Sequence, residues 1–340
     1  MLVAPRPRNL KALHMRTCRI IALLTIAATI GCAHVARAQS WPARPITIVV
    51  PFPAGGPTDV LPRIIADRMG SSLGQKVVIE NSPGAGGSVG IGRVARAAPD
   101  GYTVASGGLG THVINGAIYD LHYDPLNDFE PVALLPSTPM LLGARNTLPA
   151  KNLHELIPWL KGNQDKALMA TPGIGTLAHV ASVLLQDLTG ARFQLVNYRG
   201  GPPALQDLLG ERVDLLINQP ALFLPLVRDG RMKVYAVLAK KRLMQAPELP
   251  TVDEAGLPGF YASIWNGLWV PKATPKDVIA KLNGAVVDAL SDPKVSEHLT
   301  DLGFEIPSPA QQTPEALNHL QRTEIGKWWP IIKAANIKAE

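Results

Sequence analysis

Three short patterns in this chain carry residue types and spacings that could do chemistry. Gly70-Ser71-Ser72-Leu73-Gly74 and Gly86-Gly87-Ser88-Val89-Gly90 both fit G-x-S-x-G, in which a serine held on a sharp turn between strand and helix attacks an ester. Gly173-Ile174-Gly175-Thr176-Leu177-Ala178 fits the glycine pattern that cradles a dinucleotide pyrophosphate. Context argues against each. The first serine pattern lies at the end of a helical stretch, and the second, although it follows a strand, has no acid and histidine that the sequence marks as its partners. After the third pattern the next apolar run, FQLVN, ends in Asn197 and Tyr198, with no acid for a ribose hydroxyl. The six histidines after residue 38 are scattered, with no H-x-x-x-H pair and no cysteine partner, so neither a metal nor another cofactor is expected. Binding, with no catalytic residues, is the expectation.

What binding chemistry there is lies in loops. PFPAGGPTD (51–59) follows the apolar run ITIVV, NSPGAGGS (81–88) follows KVVIE, SGGLGTH (106–112) follows YTVA, and TPGIGTLAH (171–179) follows ALMA. Each ends a strand and leads into a helical stretch. In open α/β sheets that position faces ligands, because the following helix presents unpaired N–H groups and a partial positive charge. Gly55 and Gly56 let the backbone approach a ligand, and Thr58 or Asp59 can cap the next helix. The first loop alone would equally suit a plain capped connection. Four such loops, with small hydroxyls such as Thr111 and Thr176, indicate a small carboxylate enclosed by neutral donors and ordered water.

The elements that must position these loops alternate along the chain. Strand candidates are 46–50, 76–80, 102–106, 167–171, 193–197, 213–217 and 234–239, separated by helical stretches such as Asp59 to Leu73, Leu177 to Leu188 and Pro203 to Leu209. Runs rich in Val, Ile and Leu without polar alternation predict parallel sheets covered on both faces, hence an α/β protein. Two sets of units are visible, at about 45–135 and 140–260, followed by one more strand, SIWNGLWVP (263–271), and a mainly helical end. Such an end lacks a sheet of its own and is expected to return to the first lobe, so that the chain crosses between lobes near 136–141 and 260–267. Two crossings at one seam make a hinge, the plan of a clamshell with two doubly wound lobes and a cleft between them. Trp265 and Asn266 fall at the second crossing, either as cleft wall able to stack on an aromatic acid or as hinge packing. Trp328 and Trp329 are expected to dock the last helix.

The first 38 residues read as a secretory leader: Arg6, Arg8, Lys11, Arg16 and Arg19, an apolar run from Ile20 to Gly31, then Ala36-Arg37-Ala38 as the expected cleavage point. The apolar run is short of the roughly 20 residues a spanning helix needs. Met15 is a second candidate initiator. Cys32 would suit lipidation, but Thr29 stands where a lipobox prefers Leu, Val or Ile. The leader holds six of the 33 Lys and Arg residues and none of the 27 acids, which leaves 27 of each sign. A net charge near zero offers no footprint for nucleic acid or an anionic membrane. Both cysteines, Cys18 and Cys32, lie in the leader, so an exported chain would have no disulfide and must be stabilised by burial.

RPITIVVPFPAGGPTDV, VVIENSPGAGGSVGIGRVARAAPDGYT, NYRGGPPALQDLLGERVDLL and LPTVDEAGLPGF resemble the substrate-binding receptors of tripartite tricarboxylate transporters, the Bug family, over essentially the whole chain after the leader. The resemblance implies the type II periplasmic binding protein fold, the Venus flytrap, with lobe 1 at 39–138 and 265–340 and lobe 2 at 139–264. It implies a monomeric periplasmic receptor that passes a di- or tricarboxylate or an aromatic acid to a two-component inner-membrane permease; a sensor receptor or a secreted enzyme on the same clamshell is the alternative. The family's ligand positions map onto Phe52, Pro53, Ala54, Gly55, Gly56, Thr58 and Asp59, then Gly107, Gly108 and Thr111, then Gly173, Gly175, Thr176 and His179, and finally Tyr198 and Arg199. Thr171-Pro172 replaces a frequent Ser-Ala, and Asn218 stands where the family usually has an Asp, which disfavours an amino-acid ligand. Arg199 has two roles open to it: pairing with a ligand carboxylate, or bracing its loop on an acid such as Asp214. The family's reliance on backbone and water contacts points to the brace.

Overall fold

Ile46, Ile48, Val49 and Val50 are fully buried in β1 (Ile46–Val50), a strand covered on both faces. The computed structural model describes residues 41–55, 57–198 and 200–338; the leader with its expected cleavage point, Gly56 and Arg199 lie outside them. β1 pairs in parallel with β2 (Val77–Asn81) and β3 (Thr103–Gly108). The connections are α1 (Pro57–Leu73) and, before β3, α2 (Ser88–Ala95). This is the strand-helix alternation that the sequence predicts.

The sheets are mixed rather than parallel. In the first, of order β2-β1-β3-β10-β4, strand β10 (Ser263–Pro271) runs antiparallel to both β3 and β4 (Phe129–Pro139). In the second, of order β7-β6-β8-β5-β9, strand β5 (Leu141–Arg145) runs antiparallel to β8 (Leu215–Asn218) and β9 (Met232–Val237), while β6 (Leu168–Thr171) pairs in parallel with β7 (Gln194–Asn197) and β8. The reversed strand is in each case the one that has just arrived from the other sheet: β5 follows β4 after a single residue, Met140, and β10 is the chain's return from the second sheet. A strand entering from across a seam points the opposite way to those that start at the far end of the lobe. Its apolar run looks the same either way.

β4 escaped the sequence expectation because FEPVALLPSTP carries Pro131, Pro136 and Pro139, and the short β5, LLGAR, follows it after one residue. Prolines are tolerated because β4 is an edge strand with register shifts against β10. At one shift the Asn266 side-chain amide donates to the Pro136 carbonyl at 2.8 Å.

Among the described residues four helices belong to the second sheet before the chain returns: α4 (Leu153–Gly162), α5 (Leu177–Thr189), α6 (Gly201–Leu209) and α7 (Pro220–Arg228). After β10, α8 (Lys276–Ser291) packs on α1 and β4, with α9 (Pro293–Asp301) beside them, and α10 (Pro314–Ala334) lies against β4 and the segment after β3. Trp328 is fully buried there, and Trp329 Nε1 donates to the Val113 carbonyl at 2.9 Å. No described helix is long and apolar enough to cross a membrane.

Candidate ligand-binding site

The loop after β1 is built around Asp59, which is almost fully buried. Its carboxylate accepts from the Gly55 N–H at 2.8 Å, Arg63 Nε at 2.9 Å and Asn81 Nδ2 at 2.8 Å, and Asn81 Nδ2 also donates to the Phe52 carbonyl at 2.9 Å. The hydrogen bond from Arg63 is the main reason the Asp59 carboxyl is held down at about 2. Asp59 is therefore an internal anchor: its charge is matched by Arg63, and its bonds fix the path of the loop that carries Phe52 and Thr58.

After β3 the chain enters a π-helical turn (Gly110–Ile114) and then α3 (Asn115–Ile118). Gly107 and Gly108 are glycines for steric reasons: a Cβ on Gly107 would lie 2.3 Å from His112 Cε1, and one on Gly108 would lie 2.2 Å from the Trp265 carbonyl oxygen. Thr111 Oγ1 accepts from the Gly108 N–H at 3.1 Å and sits 2.9 Å from His112 Nδ1. Asn115 Nδ2 donates to the Gly86 carbonyl at 2.9 Å and so ties this segment to the loop after β2. From β10 come Ile264, Trp265 and Asn266; the buried Trp265 Nε1 has no hydrogen-bond partner among the described residues.

The second sheet contributes the loop before α5. Thr176 caps that helix by accepting from the His179 N–H at 3.3 Å, and its own hydroxyl donates to the Gly173 carbonyl at 2.8 Å. His179 Nδ1 accepts from the Gly175 N–H at 3.0 Å, and burial lowers the imidazole's pKa, which favours the neutral ring this bond needs. Gly175 has φ +72°, and a Cβ there would lie 2.3 Å from Ile118 Cδ1. At this point the loop before α5 touches the helix after β3, and the two sheets' segments meet.

These pieces enclose a cavity of about 260 Å³. Its lining residues with polar side chains are Thr58, Ser106, Thr111, Thr176, Tyr119, Asn115 and Asn266, and Gly86, Gly107, Gly108, Gly110 and Gly175 bring backbone to it. Phe52, Leu109, Ile114, Ile118, Ile174, Leu177, Ile264 and Trp265 make its apolar wall. None of the described lining residues bears an ionised side chain, and no group of three or more His, Cys, Asp or Glu among the described residues could hold a metal. Such a wall can meet a polar head with N–H and O–H donors and pack against a small apolar body.

Of the residues expected at the site, Phe52, Thr58, Gly107, Gly108, Thr111, Gly175, Thr176 and Trp265 line the cavity. Pro53, Ala54, Gly55 and Gly173 are not among its lining residues, and Gly56 and Arg199 fall outside the described residues. Three side chains are engaged in scaffolding. His179 steadies its own loop, Tyr198 donates its hydroxyl to Asp207 Oδ2 at 2.8 Å, and Asn218 Oδ1 accepts from the Gln219 N–H at 2.8 Å. Asp214, the acid considered as a brace for Arg199, accepts from Arg145 Nε at 2.8 Å and from the Leu168 N–H at 2.9 Å. Sequence reasoning missed Ile114, Asn115, Ile118 and Tyr119, although Ile114 and Ile118 stand four apart directly after a glycine loop.

Two α/β lobes, joined by reversed strands and meeting over one enclosed cavity, define a type II periplasmic binding protein. Within that class the chain belongs to the tripartite tricarboxylate transporter receptors: the family described as "Tripartite tricarboxylate transporter family receptor" matches residues 61–337. Members of this family are periplasmic solute-binding receptors. A relative described as "UPF0065 protein in the TAR-I ttuE-ttuC' intergenic region", from Agrobacterium vitis, is 38% identical over 335 residues, covering 98% of this chain and 96% of its own. MatC from Rhodopseudomonas palustris, solved with bound malate, is 42% identical with a TM-score of 0.73, covering 86% of this chain and 100% of its own. R. palustris Rpa4515, solved with adipate, is 33% identical with a TM-score of 0.75, covering 88% and 99%.

Proposed function

We propose that this receptor captures one small organic carboxylate between its lobes and delivers it to a two-component inner-membrane permease. The observation that carries the reading is the cavity wall, which draws on both lobes and offers hydroxyls, amides and glycine backbone with no ionised side chain among its described residues. Backbone and hydroxyl donors suit a carboxylate head, which binds well to neutral N–H and O–H groups assisted by water. Malate in MatC and adipate in Rpa4515 support the same ligand class.

In this reading lobe 1 comprises 39–138 and 265–340 and lobe 2 comprises 139–264. The ligand site is drawn from Phe52 to Asp59, Gly107, Gly108, Thr111, Gly173, Gly175, Thr176, His179, Tyr198, Arg199, Asn218 and Trp265, with the cavity-lining members making the direct contacts and His179, Tyr198 and Asn218 serving only to hold the surrounding loops. The protein is exported, is cleaved after Ala38, and works as a monomer without cofactor or turnover. Asn218 offers no carboxylate to a ligand ammonium group, so plain or aromatic acids are favoured over amino acids.

Calorimetry and thermal shift with malate, adipate, citrate, benzoate and glutamate test this. One acid is expected to bind with a stoichiometry of one and to be recovered unchanged. At about a hundred times its dissociation constant it stabilises the fold by roughly 2.7 kcal/mol, a shift of several degrees. Binding of none of the acids, or consumption of the bound one, overturns the reading.

A further inference from the structure

We infer that His112 is a positioning residue which, as its Nδ1–H tautomer, makes the Thr111 hydroxyl a hydrogen-bond donor to the ligand. The inference rests on the cavity being the carboxylate site. Thr111 lines that cavity; His112 does not, and is completely buried behind it.

The imidazole lies flat on Trp269, with ring centroids 3.7 Å apart and planes 8° from parallel, and meets Phe129 edge-on at 5.3 Å. Glycine at position 107 leaves room for the ring. The backbone at His112 is fixed as well: Gln321 Nε2 donates to its carbonyl at 3.0 Å and to that of Pro125 at 2.9 Å, while Gln321 Oε1 accepts from Trp269 Nε1 at 3.3 Å. An imidazole sealed in this way is neutral, so its variable is which nitrogen holds the proton. Nδ1 faces Thr111 Oγ1 at 2.9 Å; Nε2 is buried and has no partner.

The two tautomers leave different debts. With the proton on Nε2, a buried N–H has no acceptor, a rarer and costlier arrangement than a bare acceptor nitrogen. With the proton on Nδ1, the ring donates to Thr111 Oγ1, which already accepts from the Gly108 N–H at 3.1 Å. A hydroxyl oxygen has two acceptor sites and one proton. Both sites are then filled, and the proton must be given away. Within the loop its one other acceptor is the Gly108 carbonyl at 3.4 Å, at the long limit for an O–H bond. A carboxylate oxygen in the cavity is the better acceptor, and two accepted bonds polarise the hydroxyl toward donation.

Ring-nitrogen NMR on the 15N-labelled protein reads the tautomer without any ligand, with the His112 signals assigned by their loss in H112N. A protonated Nδ1 and a bare Nε2 are expected; protonated Nε2 overturns the inference. In calorimetry with malate and adipate, H112N, whose amide can donate from near the Nδ1 position, should stay within about threefold of the parent, whereas H112Q and T111V weaken binding roughly tenfold or more. The H112Q/T111V double variant should be no weaker than T111V, since both act through one hydroxyl; multiplied losses overturn the inference. Thermal unfolding of each variant separates loss of fold from loss of donor. If the parent protein binds neither acid, the carboxylate reading suffers, while the nitrogen signals still decide the tautomer.

Discussion

The two lobes share a strand plan but contribute very unequally to the cavity. In each five-stranded sheet the reversed strand occupies the fourth place, yet the first sheet and its attached segments supply all of the described lining except one run, Ile174 to Leu177. Lobe 1 therefore sets the shape and the donors, and lobe 2 offers a short strip that closes the remaining side. The steric demands follow the same division: Gly108 is pinned against the backbone of its own sheet, whereas Gly175 is pinned against Ile118 of the other lobe. A defect at the first position should damage the fold, and one at the second should damage closure.

The largest effect is expected from G108A. The added Cβ would stand 2.2 Å from the Trp265 carbonyl oxygen, so β3 and β10 must separate. A loss of about 3 kcal/mol or more, seen as a melting temperature lower by roughly 6 °C or more, checks it. G175A should cost the unliganded fold only about 1–2 kcal/mol, the cost of a left-handed alanine. Ligand affinity in the same variant falls roughly tenfold or more, and I118A added to it restores part of the loss, because the blocked contact involves that side chain. A melting loss in G175A as large as in G108A would break the division of labour.

Asp59 comes third. Its carboxyl is held at about 2 in the folded state, below its unfolded value, so its stabilisation is present above about pH 4 and is lost as the pH falls through 2. D59N should cost roughly 1–3 kcal/mol at pH 7 and flatten the unfolding midpoint across that acid window. Y198F should have the smallest effect: losing the bond to Asp207 lowers stability by roughly 0.5–1.5 kcal/mol and leaves ligand affinity unchanged, as calorimetry can show. A large affinity loss in Y198F would extend lobe 2's share of the site well beyond its short strip.

Much of the architecture was legible because the strands are short apolar runs ended by glycine loops; SIWNGLWVP was delimited residue for residue. Strand direction was not, since the apolar run of a reversed strand such as β5 looks the same read either way. β4 was hidden by its prolines, which argue against a strand unless its place at an edge is known. At the site, glycine and hydroxyl types pointed to loops that line the cavity, but side-chain direction depended on partners distant in sequence. Asp59 looked like a cap facing a ligand until Asn81, 22 residues away, supplied its other bonds. Ile114 and Ile118 carried no signal of their own, because two isoleucines four apart suit any buried helix face and only the fold sets them on the cavity.

The reversed strands also impose an order of events on a chain that emerges with its N-terminus first. All five strands of the second sheet lie between residues 141 and 237, so that sheet can assemble without waiting for the C-terminus. The first sheet cannot. β4 has no strand to join, and β3 has an open edge, until residues 263–271 arrive, more than 120 residues after β4 ends. An unpaired apolar edge is a template for aggregation. The nascent lobe 1 thus waits with that edge open, and a truncation that removes β10 should aggregate rather than leave a smaller working receptor.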